Sequence, residues 1–335
     1  MTALPDDRTA VVAVGSAIVD LLALVDDQTL AATGLEPGTM TLIDRDEADR
    51  LWSLAEGGTL MAGGSAANTC VGVAALGAGA ALVGRVGGDE LGAAFQENIV
   101  DAGVAFRSHD ESGEGPTGRC LILVTPDGQR TMRTFLGVAP MLEPRHVDDS
   151  LLRGAAFVYL EGYLWDAPSA GPALSRAIED GRRGGAQIAL SLSDPGCVER
   201  HREEWTDLLT AGVVDVLFAN EQEVLRLTGA PGLEAAAQAV SEYVRTAALT
   251  RGAEGSLVVS DGRTITVEAH PVTHVVDTTG AGDLYAAGFM VGATRGLDPE
   301  HCARLGGLAA ADVISALGAR PHGDLLAAAR AGGLL

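Results

Sequence analysis

A short run of small residues that ends in an aspartate is the segment of this sequence best suited to chemistry. The run is followed by a helical pattern over residues 284–293; it consists of Gly280, Ala281, Gly282 and Asp283. A small-residue turn that opens a helix exposes unpaired N–H groups at the positive end of the helix dipole, which suits a phosphoryl group in transit. Asp283 would lie beside that group and accept a proton from an attacking hydroxyl. Because the dipole should lower the pKa of Asp283, orientation of the hydroxyl is expected to matter more than basicity.

A simpler interpretation of Asp283 is that it only caps the helix, since Asp is a favoured capping residue. The longer string over residues 277–283, which reads Asp-Thr-Thr-Gly-Ala-Gly-Asp, is much more specific than Gly-x-Gly-Asp alone. The longer string therefore favours a reactive site.

A second group of residues is suited to binding a polyol. Gly63 and Gly64 let the backbone approach a ligand closely, and Asn68 offers both a donor and an acceptor for vicinal hydroxyls. Asp20 follows the first apolar strand and, taken alone, would be a solvated charge at a strand end. Together these residues predict a site for adjacent hydroxyl groups.

A third group follows two later strands. Asn220 and Glu223 have the spacing of a capping box, and both are also oxygen-bearing candidates for a binding site. The second segment contains Thr250, Arg251, Gly252 and Gly255, of which Gly252 allows close backbone approach to a ligand.

Composition narrows the function classes. The 335 residues carry a formal net charge of −22, which argues against nucleic acid as a partner. The chain has no lysine, so neither a P-loop nor Schiff-base chemistry is available. Four separated cysteines predict buried thiols without disulfides or zinc. No apolar run reaches the roughly 20 residues of a membrane span, and the first residues do not resemble a secretion signal, so a cytoplasmic protein is expected.

The hydrophobic pattern predicts an α/β fold with a doubly wound, mostly parallel sheet. Two regions, about 16–60 and 107–138, interrupt the alternation of strands and helices and predict a small sheet that acts as a lid. The second region contains a predicted hairpin with an Asp127-Gly128 turn. The predicted strands span residues 11–14, 80–83, 157–160, 188–192, 214–218, 247–250 and 257–259, and the predicted helices span 66–76, 90–102, 170–183, 198–209, 233–244, 281–295 and 299–317.

These motifs, in this order, resemble the signatures of the PfkB, or ribokinase, family of carbohydrate kinases. The resemblance covers about residues 11–318 and implies one ribokinase-like α/β domain over residues 1–335 with a discontinuous β lid. It implies ATP and Mg²⁺ as cofactors, with Glu223 holding Mg²⁺ through water, Asp283 as the base and the Gly280–Gly282 amides as the anion hole. It also implies that Asp20, Gly63, Gly64 and Asn68 hold the sugar hydroxyls. Asn220 is implied to help organise Mg²⁺ around the phosphates, and the segment with Thr250, Arg251, Gly252 and Gly255 to run past the nucleotide, with Arg251 facing phosphate. Some members respond to a monovalent cation near the segment equivalent to 315–319, and the sequence leaves this open.

Within the family the chain is most similar to the adenosine kinase branch. Residues 116–120 read Pro-Thr-Gly-Arg-Cys, as that branch does, whereas Asp194 replaces a small residue. Tyr163 and Trp165 lie where the branch supplies an aromatic wall for the purine, and core packing is an equal alternative for both rings. Arg133, in the hairpin, is expected to be solvated or to neutralise phosphate.

The resemblance implies transfer of the ATP γ-phosphate to the 5′-hydroxyl of adenosine or a related nucleoside. A sugar such as ribose or fructose is the alternative acceptor, and a silent nucleoside or sugar sensor is a second alternative. A nicotinamide dehydrogenase is disfavoured because strand 11–14 does not lead into Gly-x-Gly-x-x-Gly. A monomer and a homodimer are both compatible with the sequence.

Overall fold

The protein is described from a computed structural model, which covers residues 9–52, 55, 57–106, 115–126, 129–167 and 169–335. Within these ranges the strands form one sheet of nine and one of five. The strands are β1 (Val11–Val14), β2 (Ile18–Leu24), β3 (Met40–Leu42), β4 (Thr59–Gly63), β5 (Ala80–Val83), β6 (Val104–Phe106), β7 (Gly118–Val124), β8 (Arg130–Phe135), β9 (Phe157–Glu161), β10 (Gln187–Ser191), β11 (Val216–Asn220), β12 (Thr246–Thr250), β13 (Ser256–Ser260) and β14 (Arg263–Val267).

The large sheet has the order β14-β13-β12-β11-β10-β9-β1-β5-β6. Its strands are parallel from β6 to β12, and this confirms the predicted doubly wound arrangement. Both faces of the central strands are apolar. Val11 and Ala13 of β1 pack into one core and Val12 and Val14 into another, because helices cover both sides of the sheet.

The last two strands, β13 and β14, run antiparallel to their neighbours. The sequence analysis missed β14, whose residues alternate between exposed and more buried positions. Such alternation is typical of an edge strand with one solvated face, whereas the buried parallel strands read as continuous apolar runs.

The helices surround the large sheet and the outer face of the small one. All seven predicted helices are present, with shifted ends. The helix predicted at 198–209 begins at Pro195, because Asp194 caps it by accepting the N–H groups of Gly196 and Cys197. The helices are α1 (Asp27–Thr33), α2 (Arg45–Trp52), α3 (Ser65–Ala75), α4 (Glu90–Asp101), α5 (Asp149–Leu152), α6 (Gly171–Arg183), α7 (Pro195–Thr210), α8 (Glu221–Thr228), α9 (Leu233–Val240), α10 (Ala281–Thr294), α11 (Pro299–Val313) and α12 (Leu325–Ala331).

The small sheet has the order β3-β8-β7-β2-β4, which confirms the prediction of a second sheet assembled from distant segments. Residues 107–114 of the predicted lid region and the predicted Asp127-Gly128 turn lie outside the described residues. Along β2, Asp20 and Leu22 share one face, here called the inner face, while Leu21 packs on the outer face with α1 and α2. The small sheet therefore presents its Asp20 face toward the large domain.

Strand order reverses between β1 and β9, because the chain first extends from β1 toward β6 and later from β9 toward β14. In open α/β sheets, ligands bind beyond the carboxyl ends of the strands at such a switch point. Glu161 ends β9 there, and the segment that leads from β1 into Asp20 passes over it. No helix among the described residues is long and apolar enough to cross a membrane.

Candidate active site

Asp283 lies in the first turn of α10, held by two side chains from α3. Ser65 Oγ donates to Asp283 Oδ1 at 2.6 Å, and Asn68 Nδ2 donates to Oδ2 at 3.0 Å. Two donors fix the plane of the carboxylate and leave lone pairs on both oxygens for a further donor. The structure thus joins the two motifs that carry Asn68 and Asp283, which lie more than 200 residues apart in the sequence.

The pKa of Asp283 is raised above its ordinary value of 3.8, with burial as the largest cause. The hydrogen bonds from Ser65 and Asn68 and the charge of Arg320 oppose this rise without cancelling it. The sequence analysis expected the helix dipole to lower this pKa. Desolvation of the carboxylate outweighs the stabilising groups instead, which makes Asp283 a stronger base than a solvated aspartate.

The turn before Asp283 has the geometry expected of an anion site. Gly280 is the N-cap of α10 and adopts a left-handed conformation with φ 76°. A Cβ at this position would lie 2.9 Å from the Cβ of Ala319, so glycine is required both by conformation and by space. The N–H of Ala281 donates to the carbonyl of Thr278 at 3.3 Å, and the N–H of Gly282 follows it in the first turn of the helix, at the positive end that favours an anion.

Asp20 is buried on the inner face of the small sheet. Burial raises its pKa from 3.8 to about 7, while the charges of Arg320 and Arg130 lower it. The carboxylate lies against Gly63, since a Cβ at Gly63 would collide with its oxygens. Glycine at position 63 therefore makes room for the Asp20 side chain itself, which the sequence analysis attributed only to close approach of a ligand.

Gly64 and Asn68 complete the predicted polyol site. Gly64 has φ 101° and is the N-cap of α3, and a Cβ there would collide with the carbonyl of Ser16. Asn68 is 5% exposed, and its Oδ1 has no hydrogen-bond partner among the described residues. A buried amide oxygen without a partner is unfavourable unless a ligand supplies a donor, and a hydroxyl group is such a donor.

Glu161 is a site residue that the sequence analysis missed. Its carboxylate accepts the N–H of Ser16 at 3.2 Å and the N–H of Ala66 at 2.8 Å, and it is fully buried. Because Gly64 has no side chain, Glu161 provides the cap for α3 from the neighbouring strand. Its position at the end of β9 was visible in the sequence, but its contact with α3 was not.

Arg130 is a second residue that the sequence analysis missed. It lies on the inner face of β8, and its Nε pairs with Asp277 Oδ1 at 3.1 Å. Arg133 points to the outer face and donates to the carbonyls of Thr39 and Met132. The expectation that Arg133 is solvated or faces phosphate was wrong, because Arg133 is 6% exposed and its odd register turns it away from the inner face.

The predicted nucleotide residues gather at the carboxyl ends of β11 and β12. Asn220 and Thr250 are direct neighbours in the parallel register of these strands. Gly252 and Gly255 both have positive φ, and a Cβ at Gly255 would collide with the carbonyl of Val267. Arg251 forms an ion pair with Glu254, so its role toward phosphate stays a prediction.

Glu223 has a reciprocal capping box with Asn220, so the capping interpretation is correct. Glu223 is 4% exposed, and burial raises its pKa to about 7, with the Asp194 carboxylate as a further cause. Two neighbouring carboxylates with oxygen donors fit the preference of Mg²⁺, whose charge would offset both. The donor chemistry is therefore compatible with Mg²⁺. Both oxygens of Glu223 accept hydrogen bonds from Asn220, so a magnesium ion held by Glu223 through water stays a prediction.

The two predicted aromatic wall residues occupy different environments. Trp165 packs edge-to-face on Trp205 with ring centroids 5.9 Å apart and donates to Glu204 at 3.1 Å, as expected for core packing. Tyr163 is 36% exposed, and its hydroxyl donates to the carbonyl of Ser193 at 3.4 Å. Of the two rings, Tyr163 is the one that remains accessible to a ligand.

Comparison with known proteins assigns this chain to a protein family. The profile described as pfkB family carbohydrate kinase matches residues 8–323. The chain belongs to this family. It is an ATP-dependent kinase with the ribokinase-like fold that the sequence predicted.

Some relatives of this PfkB kinase are named adenosine kinases and others are named sugar kinases. Adenosine kinase of Saccharomyces cerevisiae is 30% identical over 330 residues, covering 92% of this chain and 95% of the yeast protein. The crystal structure of adenosine kinase from Sinorhizobium meliloti is 42% identical with a TM-score of 0.90, covering 97% of this chain and 99% of that one. A probable sugar kinase from Rhizobium etli is 40% identical with a TM-score of 0.91, covering 98% and 99%.

Proposed function

We propose that this PfkB kinase transfers the γ-phosphate of ATP to the 5′-hydroxyl of a nucleoside, with adenosine as the preferred acceptor. The observation that carries the proposal is the arrangement of Asp283, Asn68 and Asp20. The carboxylate of Asp283 is oriented by Ser65 and Asn68 at the N-terminus of α10. The carboxylate of Asp20, on the small sheet, lies against Gly63, five residues before Asn68. This arrangement suits an acceptor with vicinal hydroxyls and a primary hydroxyl that points toward the anion hole.

In this proposal, Asp20 and the unpartnered Oδ1 of Asn68 accept hydrogen bonds from the ribose hydroxyls. Asp283 orients the 5′-hydroxyl and accepts its proton as the oxygen bonds to phosphorus. The backbone N–H groups of Gly280–Gly282 stabilise the charge on the transferring phosphoryl group. Mg²⁺, held through Glu223, would neutralise charge on the ATP phosphates.

The inner face of the small sheet supports a nucleoside over a free sugar. Besides Asp20, Arg130 and Thr134, this face carries a cluster of apolar residues, Leu22, Cys120, Ile122, Val124 and Met132, with Leu317 packed against them. A free sugar has no large apolar surface to place beside such a wall, whereas a purine does. Tyr163 supplies an accessible ring that would stack on the base.

The test is an ADP-release assay with ATP and Mg²⁺ across adenosine, other nucleosides, ribose, fructose and hexose phosphates. Selective turnover of adenosine is the expected result. If only a free sugar is turned over, the roles assigned to Asp283 and the anion hole remain, and the assignment of the apolar residues of the inner face to a base is wrong. If no acceptor is turned over while adenosine still binds in calorimetry, the protein is a sensor and the proposed function is wrong.

A further inference from the structure

Arg320 is a basic residue near both carboxylates of the site, and neither the sequence motifs nor the proposed mechanism uses it. It follows α11, and its guanidinium donates to the carbonyl of Ala62 through Nη2 and to the carbonyl of Ala67 through Nη1 at 3.5 Å. Ala62 precedes the Gly63-Gly64 turn and Ala67 lies just after it. The Arg320 side chain therefore binds backbone carbonyls on both sides of the Gly63-Gly64 turn, which contacts the Asp20 carboxylate.

The turn is held from a second direction as well. Ala62 lies on β4, an edge strand of the small sheet, and its N–H donates to Asn98 Oδ1 at 2.9 Å. Side chains of Asn98 and Arg320 thus bind both backbone polar groups of Ala62. On an edge strand, the outward N–H and C=O groups are ordinarily hydrogen-bonded to water. At Ala62 two side chains take the place of water, so the position of this strand is fixed by specific contacts.

The residues next to Arg320 contact the other half of the site. The N–H of Gly318 donates to Asp277 Oδ2 at 2.9 Å, and Ala319 fills the space beside Gly280. Residues 318–320 consequently link the anion hole to the Gly63-Gly64 turn.

The charge of Arg320 acts on both carboxylates. It lowers the pKa of Asp20 and of Asp283, against the effect of burial. Burial lowers the pKa of Arg320 to about 10, so the guanidinium remains charged at neutral pH. Among the described residues, the other groups in electrostatic contact with these three are Arg130 on β8, Glu161 and Tyr159 on β9, Tyr163 just after β9, Cys70 on α3 and Cys120 on β7.

We propose that Arg320 is a positioning residue of this kinase, which fixes the Gly63-Gly64 turn beside Asp20 and places a positive charge near the carboxyl groups of Asp20 and Asp283. The inference rests on the proposed function for its kinetic part. Its structural part, the clamp on the turn, does not depend on turnover.

The first test is the pH profile of kcat/KM for the acceptor in Arg320→Gln. Removal of the positive charge raises the pKa of both carboxyl groups, so the acid limb of the profile should move to higher pH. A shift of one unit gives about a tenfold loss on that limb and a much smaller loss near pH 9. Arg320→Lys should keep the acid limb near its original position, because the charge is retained.

The second test is amide hydrogen exchange over residues 59–68, with Arg330→Gln as the matched control. Arg330 is exposed on α12, so its variant loses the same charge far from any site residue described here. Exchange in this segment should accelerate in Arg320→Gln, and to a smaller extent in Arg320→Lys, and should remain unchanged in Arg330→Gln.

A pH profile of Arg320→Gln that superimposes on those of the parent and Arg330→Gln would overturn the proposal, whatever the exchange data show. If the parent protein phosphorylates no acceptor, the proposed function fails and exchange alone decides on Arg320. In that case, unchanged exchange over residues 59–68 rejects the clamp, and selective acceleration supports it.

Discussion

At the scale of single residues, the site depends on a carboxylate that is both desolvated and well oriented. Ser65 and Asn68 each donate to Asp283, while burial raises its pKa. In the proposed mechanism, this orientation presents a lone pair to the acceptor hydroxyl, and the raised pKa of Asp283 makes proton transfer more favourable than it would be to a solvated aspartate. The sequence analysis expected the helix dipole to weaken Asp283 as a base and to leave orientation as its main contribution. In the structure Asp283 is well oriented and also has a raised pKa.

Asp283→Asn tests this role directly. The amide has nearly the same shape and cannot accept the proton, so kcat should fall by about 10²–10⁴-fold while acceptor and ATP still bind. Steady-state kinetics and calorimetry measure the two effects separately. Turnover within a fewfold of the parent would contradict the assignment of Asp283 as the base. Asp101→Asn, an exposed substitution on α4, is the matched control.

At the scale of elements, the alternation of side chains along β8 decides which arginine can act in the site. Arg130 shares the inner face with Asp20 and pairs with the buried Asp277, whereas Arg133 binds the backbone of the outer edge. A shift by one position along a strand reverses the face, so two arginines in one hairpin acquire different roles.

The pair Arg130→Gln and Arg133→Gln should separate catalysis from stability. Arg130→Gln removes a charge next to the anion-hole loop, and kcat/KM for ATP should fall on the order of tenfold or more. Arg133→Gln removes charged hydrogen bonds from a buried guanidinium to two half-buried carbonyls and should lower the free energy of unfolding by about 1–3 kcal/mol, with kinetics nearly unchanged. Kinetics and urea denaturation of both variants make the comparison. The reverse pattern would show that the assignment of the faces is wrong.

At the scale of the whole molecule, the ligand-free site reduces the stability of the fold. Asp20 has a folded pKa of about 7 against an ordinary value of 3.8, so the folded state holds a proton that the unfolded chain has already released. The protonated carboxyl contributes stability that is fully present below about pH 4 and is lost as the pH rises through about 7. The proposed function gives a reason for this cost, since Asp20 is assigned there to bind the acceptor hydroxyls.

Asp20→Asn should therefore stabilise the ligand-free protein at high pH. The free energy of unfolding of the variant is expected to exceed that of the parent by about 1–3 kcal/mol at pH 8.5, and the difference should shrink toward pH 5. Denaturation curves at several pH values measure it. A difference that does not change with pH would contradict the raised pKa of Asp20. Acceptor binding should weaken in the same variant, because the amide is a poorer acceptor than a carboxylate.

The fold class and the candidate site residues of the two main motifs could be predicted from the sequence. Buried parallel strands read as unbroken apolar runs, and a turn of small residues before a helix can be read locally, so β1, Gly280 and Asp283 were predicted from short windows. The capping box of Asn220 and Glu223 is local as well.

Only the tertiary structure decided the contacts between distant segments. The cap that Glu161 provides for α3, the clamp of Arg320 on the Gly63-Gly64 turn and the inward register of Arg130 depend on how elements pack and pair. No local periodicity encodes these contacts, since each joins residues more than 90 positions apart. The same limit applies to the pKa of Asp20 and Asp283, because burial is a property of the folded molecule and not of the residue.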